Sequence, residues 1–205
     1  MSEVGLALPI LIALGAFLIG SIPFGLIIGR LFYRTDIRTQ GSGNIGAMNA
    51  LRTLGKGGAV AVLLLDALKG FVPTILVVWL LGDQLLGSLV ATAAVLGHCF
   101  SPWLRLRGGK GVATSFGAIF ALCWPAGLIA VAGWLLGALV TRYSSVGSLL
   151  GSIAAPVAIW AFSASLVETL YGVVAALLIV FTHRQNIARL RAGTEGPIRL
   201  IKRGA

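Results

Sequence analysis

Three short stretches of this chain hold the residue types that could do chemistry. The tightest is Arg107-Gly108-Gly109-Lys110-Gly111-Val112-Ala113-Thr114-Ser115, with glycines around one lysine at the start of an apolar run. Glycines let the backbone turn with its N–H groups inward and let a ligand come close. A helix starting at Gly111 or Val112 adds its positive end and unpaired N–H groups. Lys110 adds a mobile point charge suited to phosphate. The expected chemistry is a cradle for phosphoryl oxygens, built from Gly108, Gly109, Lys110, Gly111 and Thr114. The stretch is not the ATPase P-loop, because Lys110 is followed by Gly111 and position 104 is Leu, where that pattern requires Ser or Thr and Gly.

The second stretch, Gly41-Ser42-Gly43-Asn44-Ile45-Gly46, matches G-x-G-x-x-G, with Asp66 at the dinucleotide-fold distance. That fingerprint needs a preceding strand and a βαβ unit. Here an Arg-rich exit from an apolar run precedes it, and Asp66 lies in another apolar run. The better reading is a second anion-binding turn with Ser42 and Asn44 as donors. A short interfacial helix over 44–54 then carries Asn49 and Arg52. The third stretch runs from Thr182-His183-Arg184-Gln185-Asn186-Ile187 to Glu195. His183 and Asn186 share a helical face, which suits a polar headgroup, and Glu195 is expected to pair with an Arg and pin the tail.

The elements that must position these groups are membrane helices. The chain has 205 residues, 58% hydrophobic and 11% charged, with mean hydropathy +0.98. That excludes an ordinary soluble domain. The net charge of +10 does not indicate nucleic acid, because the basic residues sit in short loops between apolar runs, where they mark orientation. Apolar segments fall at roughly 5–29, 58–81, 85–103, 112–123, 125–141, 147–163 and 167–182. Splitting the fourth from the fifth at Cys123-Trp124-Pro125 puts all the loop Lys and Arg on one side and Glu3, Asp83 and Glu168 on the other. The positive-inside bias therefore predicts an all-α bundle of about seven transmembrane helices, amino terminus outside and carboxyl terminus cytoplasmic. Residues 1–205 read as one domain without a cleavable signal peptide.

Asp66 and Lys69 lie three apart within the second segment and read as a structural ion pair. Gly20-Ser21-Ile22-Pro23-Phe24-Gly25 interrupts the first helix for packing. His98 reads as a hydrogen-bonded core histidine. Ser144, Ser145 and Ser148 could supply a hydroxyl or a helix cap. The cysteines Cys99 and Cys123 lie near opposite membrane faces and are not expected to pair. No metal-ligand spacing occurs, and neither metal nor cofactor is expected.

These blocks resemble the bacterial acyl-phosphate-dependent glycerol-3-phosphate acyltransferases, the PlsY family. The resemblance rests on Gly20-Ser21-Ile22-Pro23, Gly41-Ser42-Gly43-Asn44, Gly108-Gly109-Lys110-Gly111-Val112-Ala113-Thr114, and His183, Asn186, Ile187 and Glu195. It extends from about residue 20 to residue 195. It implies transfer of a fatty acyl group from acyl phosphate to the 1-hydroxyl of glycerol 3-phosphate, giving lysophosphatidic acid and phosphate. The implied setting is the bacterial inner membrane, with the site facing the cytoplasm, membrane lipid around it and the acyl-phosphate-forming enzyme as a partner. The resemblance implies Ser42, Lys110 and His183 as catalytic. Arg52, Asn44, Asn49, the glycine loop to Thr114, Ser148 (with Ser145 competing) and Asn186 would bind substrate, and Glu195 would be structural. The family usually reads Gly-Ala-Thr-Asn where this chain has Gly46-Ala47-Met48-Asn49, which leaves no hydroxyl at position 48.

No Ser-His-Asp arrangement is evident, so direct attack by the substrate hydroxyl is expected, without an acyl-enzyme. Two other functions fit parts of the pattern. A small transporter would use Asp66, Lys69 and the broken helices, but the polar groups gather at one face and no inverted repeat is visible. A lipid-phosphate hydrolase would use the same phosphate loops.

Overall fold

In the computed structural model, which describes residues 3–198, every regular element is helical. Helices α1 (Glu3–Ser21) and α2 (Phe24–Tyr33) form one apolar span with a break between them. Pro23 has no N–H to donate, so the helical ladder fails there. Side chains from elsewhere take the carbonyls left at the break. Ser101 Oγ donates to Ser21 O at 2.7 Å, and Lys69 Nζ donates to Ile22 O at 2.9 Å. A loop then leads to α3 (Ala47–Thr53) and the long α4 (Gly55–Leu81). After α5 (Gln84–Cys99) come the glycine loop and the short α6 (Val112–Leu122). The chain ends with α7 (Trp124–Thr141), α8 (Ser144–Ser163), α9 (Leu166–Thr182) and α10 (Arg184–Arg191).

Five stretches are long and apolar enough to cross a membrane: Ala7–Tyr33, Gly55–Leu81, Gln84–Leu104, Trp124–Thr141 and Ser144–Ser163. Helix α9 joins them when taken with α10 across a bend of 57°. Helix α6 has 11 residues, about 16 Å at 1.5 Å per residue, roughly half a hydrocarbon layer. The expected segments are all helical, but the fourth is too short to cross alone. The expected division is present: Cys123 leaves helical geometry, and α7 opens with Pro125 in its first turn, where a missing N–H breaks no bond.

Contacts at the helix ends fix the topology. Lys110, just before α6, meets Asn186 of α10. Ser145, at the start of α8, meets Glu195, and Ile198 N donates to Arg142 O after α7. Helix α6 therefore leaves the same end of the bundle to which α7 returns. The connections before α3, before α6, between α7 and α8, and after α9 gather at this loop end. Asp83 and Glu168 lie at the other.

The outside of the bundle is apolar: Trp79, Leu139, Val140 and Val157 are 78%, 76%, 73% and 70% exposed, as lipid-facing residues should be. The inside is built on small residues. A Cβ on Gly20 or Gly97 would strike Ala94 O or Phe17 O at 2.1 Å, so α1 and α5 touch backbone to backbone. Gly70 and Gly117 do the same for α4 and α6, and Gly147 and Gly151 for α7 and α8. Lipid drives no hydrophobic association between helices, so close approach of this kind supplies the packing. Asp66 and Lys69 pair at 2.7 Å, each side chain 2% exposed. Cys99 and Cys123 are free and buried.

Candidate active site

The end of α9 positions the first side chains. Thr182 Oγ1 donates to Lys110 O at 3.0 Å, which ties the glycine loop to α9. The next residue, His183, is buried, with Nδ1 2.8 Å from Ile179 O. A carbonyl only accepts, so Nδ1 carries the proton and Nε2 keeps its lone pair. The bend that follows turns α10 across the bundle end and delivers Asn186. Lys110 Nζ donates to Asn186 Oδ1 at 2.5 Å, and Asn186 Nδ2 donates to Glu195 Oε1 at 2.6 Å. Ser145 Oγ donates to the same oxygen at 2.8 Å, and Arg189 Nε donates to Glu195 Oε2 at 2.7 Å. Arg52 faces this group from α3: a Cβ on Gly196 would lie 3.9 Å from its Nη2. Arg189 pairs with the carboxylate directly, Lys110 is joined to it through Asn186, and Arg52 stands beside the group, which gives three cations to one carboxylate.

The electrostatics follow from that imbalance. Burial pushes the Lys110 ammonium down to about 8; Glu195 opposes this, while Arg189 and Arg52 add to it. Burial and the Lys110 charge push His183 down to about 4, so it is neutral near pH 7. Burial raises the Glu195 carboxyl, but donors from Asn186, Ser145 and Arg189 outweigh it and hold the group ionised. The arrangement has surplus positive charge at the membrane boundary and a neutral imidazole beside it. Such an arrangement can accept an anion.

In the glycine loop two of the N–H groups are taken up within the protein. Gly108 and Gly109 do not present their N–H groups to a ligand. Gly108 N donates to Cys99 O and Gly109 N to His98 O, both at 3.0 Å. They cap the last turn of α5. They are glycine because a Cβ at either would lie 2.0 Å from an atom of His98. The N–H groups left for an anion are those opening α6. Gly111, at φ 86°, brings no side-chain cap there, so the first-turn donors have no intrahelical partner. Thr114 is fully buried, packed beneath Gly70 of α4, so none of its atoms lies at the surface.

Two other expectations shift in the same way. Asn49 is 2% exposed, and its side chain holds the first loop together. Its Oδ1 accepts from Ser42 N at 2.8 Å, and its Nδ2 donates to Ile37 O and Asn44 O at 2.6 and 2.8 Å. Both of its N–H groups are thus taken up within the loop. Asn44 is half-buried, and its Oδ1 accepts from Gly46 N. Ser42 is exposed in this loop. Ser148 bonds back to Ser144 O within its own helix; Ser145 is the serine joined to the charged group. Arg30 and Arg38 are both spent on Asp36, at 2.8 and 2.6 Å. Two participants were not anticipated as site residues, Arg189 and Thr182. Arg189 was legible in principle, since it follows Asn186 by three on one helical face. Thr182 carried no local signal. An open apolar groove of about 550 Å³, lined by Ile28, Phe32, Tyr33, Ala61 and Leu65, lies between α2 and α4 on the lipid side.

Residues 10–193 match the glycerol-3-phosphate acyltransferase family. The chain belongs to that family. Glycerol-3-phosphate acyltransferases of Bradyrhizobium sp. and Nitrobacter winogradskyi are 44% and 48% identical to it, covering 93% and 89% of this chain and 95% and 92% of theirs. One from Synechococcus sp. is 47% identical, covering 91% of this chain and 92% of its own. The crystal structure of PlsY (YgiH), an integral membrane glycerol 3-phosphate acyltransferase, in its glycerol 3-phosphate form superposes with a TM-score of 0.89 at 36% identity, covering 93% of this chain and 96% of that one. Its lysophosphatidic acid form gives 0.87 at 35%, covering 94% and 96%. The bundle, its broken first span and its loop end are therefore those of a glycerol-3-phosphate acyltransferase embedded in a membrane.

Proposed function

We propose that this acyltransferase takes its acyl group from acyl phosphate and places it on the 1-hydroxyl of glycerol 3-phosphate, releasing lysophosphatidic acid and inorganic phosphate. The observation that carries this reading is the gathering of Arg52, Lys110 and Arg189 around a single carboxylate at the membrane boundary. Two phosphorylated substrates repel each other, and surplus positive charge offsets that repulsion. An acyl phosphate fits because its leaving group needs little help beyond charge stabilisation. The crystal forms of the related PlsY with glycerol 3-phosphate and with lysophosphatidic acid favour the same substrate and product.

In the proposed step the glycerol 3-phosphate hydroxyl oxygen bonds to the acyl carbonyl carbon, and the carbon–oxygen bond to phosphate breaks. Lys110, Arg52 and the N–H groups opening α6 hold the phosphoryl oxygens and spread the developing charge. Ser42 and Asn44 supply further donors, and Asn186 orients Lys110. The hydroxyl proton passes to the departing phosphate. His183 hydrogen-bonds the acceptor substrate through Nε2; its low pKa makes it a weak base at neutral pH. The acyl tail lies in the groove between α2 and α4. Residues 1–205 act as one domain, with the loop end facing the cytoplasm across the bacterial inner membrane, the carboxyl terminus inside and the amino terminus outside. In that position it can receive acyl phosphate from the enzyme that makes it.

The test is donor choice by the purified protein in lipid nanodiscs. Acyl phosphate with glycerol 3-phosphate should give lysophosphatidic acid and stoichiometric phosphate, while acyl-coenzyme A and acyl carrier protein give none. Equal use of a thioester donor would overturn the assignment. Phosphate release without ester would make the protein a hydrolase, and a trapped acyl-serine would replace direct transfer.

A further inference from the structure

The buried ion pair inside the bundle is joined to the glycine loop through a histidine that the mechanism above leaves unused. His98 sits in the last turn of α5 and is 4% exposed. Its ring fills the space a side chain at 109 would need. A Cβ on Gly109 would lie 2.0 Å from Nε2, 2.6 Å from Cε1 and 3.0 Å from Cδ2. Its own carbonyl accepts the Gly109 N–H, and that of Cys99 accepts the Gly108 N–H. On the ring's other side Nδ1 faces Asp66 Oδ1 at 3.7 Å. Nδ1 is buried and has no hydrogen-bond partner among the described residues. Asp66 pairs with Lys69, whose ammonium reaches Ile22 O at the break between α1 and α2.

An apolar side chain would fill the same space without burying a ring nitrogen, which costs free energy when the nitrogen is unpaired. The polar ring makes sense if its orientation matters. A carboxylate behind it and the loop in front leave it one place to stand. We infer that His98 is a positioning residue: its ring, wedged between Asp66 and the glycine loop, is the floor that sets the height of Gly109 and so aims Lys110 at the bound phosphate. Lys110 follows Gly109 directly, so a tilt of this floor swings its ammonium. A misplacement of about 1 Å at a distance from the chemistry can reduce rates about 100-fold.

This inference rests on Lys110 as the cation of the phosphate site, and two separate measurements keep the claims apart. Loss of activity in Lys110→Ala tests that reading alone. The floor is tested by His98→Ala, His98→Gln, Gly109→Ala and the His98→Ala/Gly109→Ala double variant, with KM for glycerol 3-phosphate, kcat and Tm measured for each. His98→Ala should raise KM about tenfold or more in protein that stays folded, and His98→Gln, which keeps a polar tip toward Asp66, should recover part of that. Gly109→Ala should lower kcat/KM about 100-fold by striking the ring. With the ring removed that clash is gone, so the double variant should be no worse than the poorer single. A purely structural histidine would instead lower Tm and leave KM unchanged. That result, or single effects that multiply in the double variant, would overturn the inference. If His98→Ala does not fold, KM of His98→Gln decides by the same criterion.

Discussion

The molecule holds two polar groups built from the same residue types and put to opposite use. Inside the bundle Asp66 and Lys69 cancel each other, and both are sealed from solvent and lipid. At the loop end one carboxylate, Glu195, faces Arg52, Lys110 and Arg189. The first group balances itself and holds helices; the second keeps an excess of two positive charges, which the negative charge of a phosphoester can balance. The lesson is that a charged residue in a membrane protein is read from its neighbours' total charge more than from its depth.

The largest effect separates stability from activity at the inner pair. Lys69→Met strands a buried carboxylate and should cost about 3–5 kcal/mol of stability. Asp66→Leu combined with Lys69→Met removes both charges and should recover most of that loss. Thermal unfolding in detergent measures both. A double variant as unstable as the single would mean that the pair does more than neutralise itself.

At the loop end the order reverses. Lys110→Ala should lower kcat/KM about 10²–10³-fold while Tm stays near that of the parent. Near-parental activity would remove Lys110 from the site and erase the contrast. The pH profile sharpens it. Burial holds the Lys110 pKa down at about 8, so the charged, anion-binding form is complete well below pH 8 and lost as pH rises through it. In free enzyme kcat/KM should therefore fall above about pH 8. Lys110→Arg keeps its charge beyond pH 12 and should move that fall upward, at some cost in geometry.

Much of this was legible in the sequence because each block is local. Lys110 among its glycines, the His183–Asn186 spacing and the loop charges all signal within a few residues. The apolar segments were legible from length, and α6 fell short of a crossing because only 11 residues separate Gly111 from Cys123. What sequence could not give were pairings across the chain. The Gly108 and Gly109 donors go to α5, and nothing local says so. Asn49 looks like a donor for substrate until the first loop closes around it and takes both of its amide N–H groups. Ser145 and Ser148 lie on one helix start, and only the return of Glu195 tells them apart.

That last distinction gives the smallest and sharpest prediction. Ser145 Oγ donates to Glu195 Oε1, whereas Ser148 Oγ bonds back to Ser144 O. Back-bonding of the second kind adds little to a helix, so Ser148→Ala should leave stability within about 0.5 kcal/mol of the parent. Ser145→Ala removes one donor from a buried carboxylate that keeps Asn186 and Arg189, and should cost about 1–2 kcal/mol at pH 7. The sign with pH follows from Glu195. Its donors hold the folded pKa below the usual 4.5, so their contribution is present above that value and lost as pH falls through the folded pKa. The gap between the two variants should therefore close in acid. Equal Tm at pH 7, or a gap that widens on acidification, would unseat Glu195 as the anchor that folds the tail onto the site.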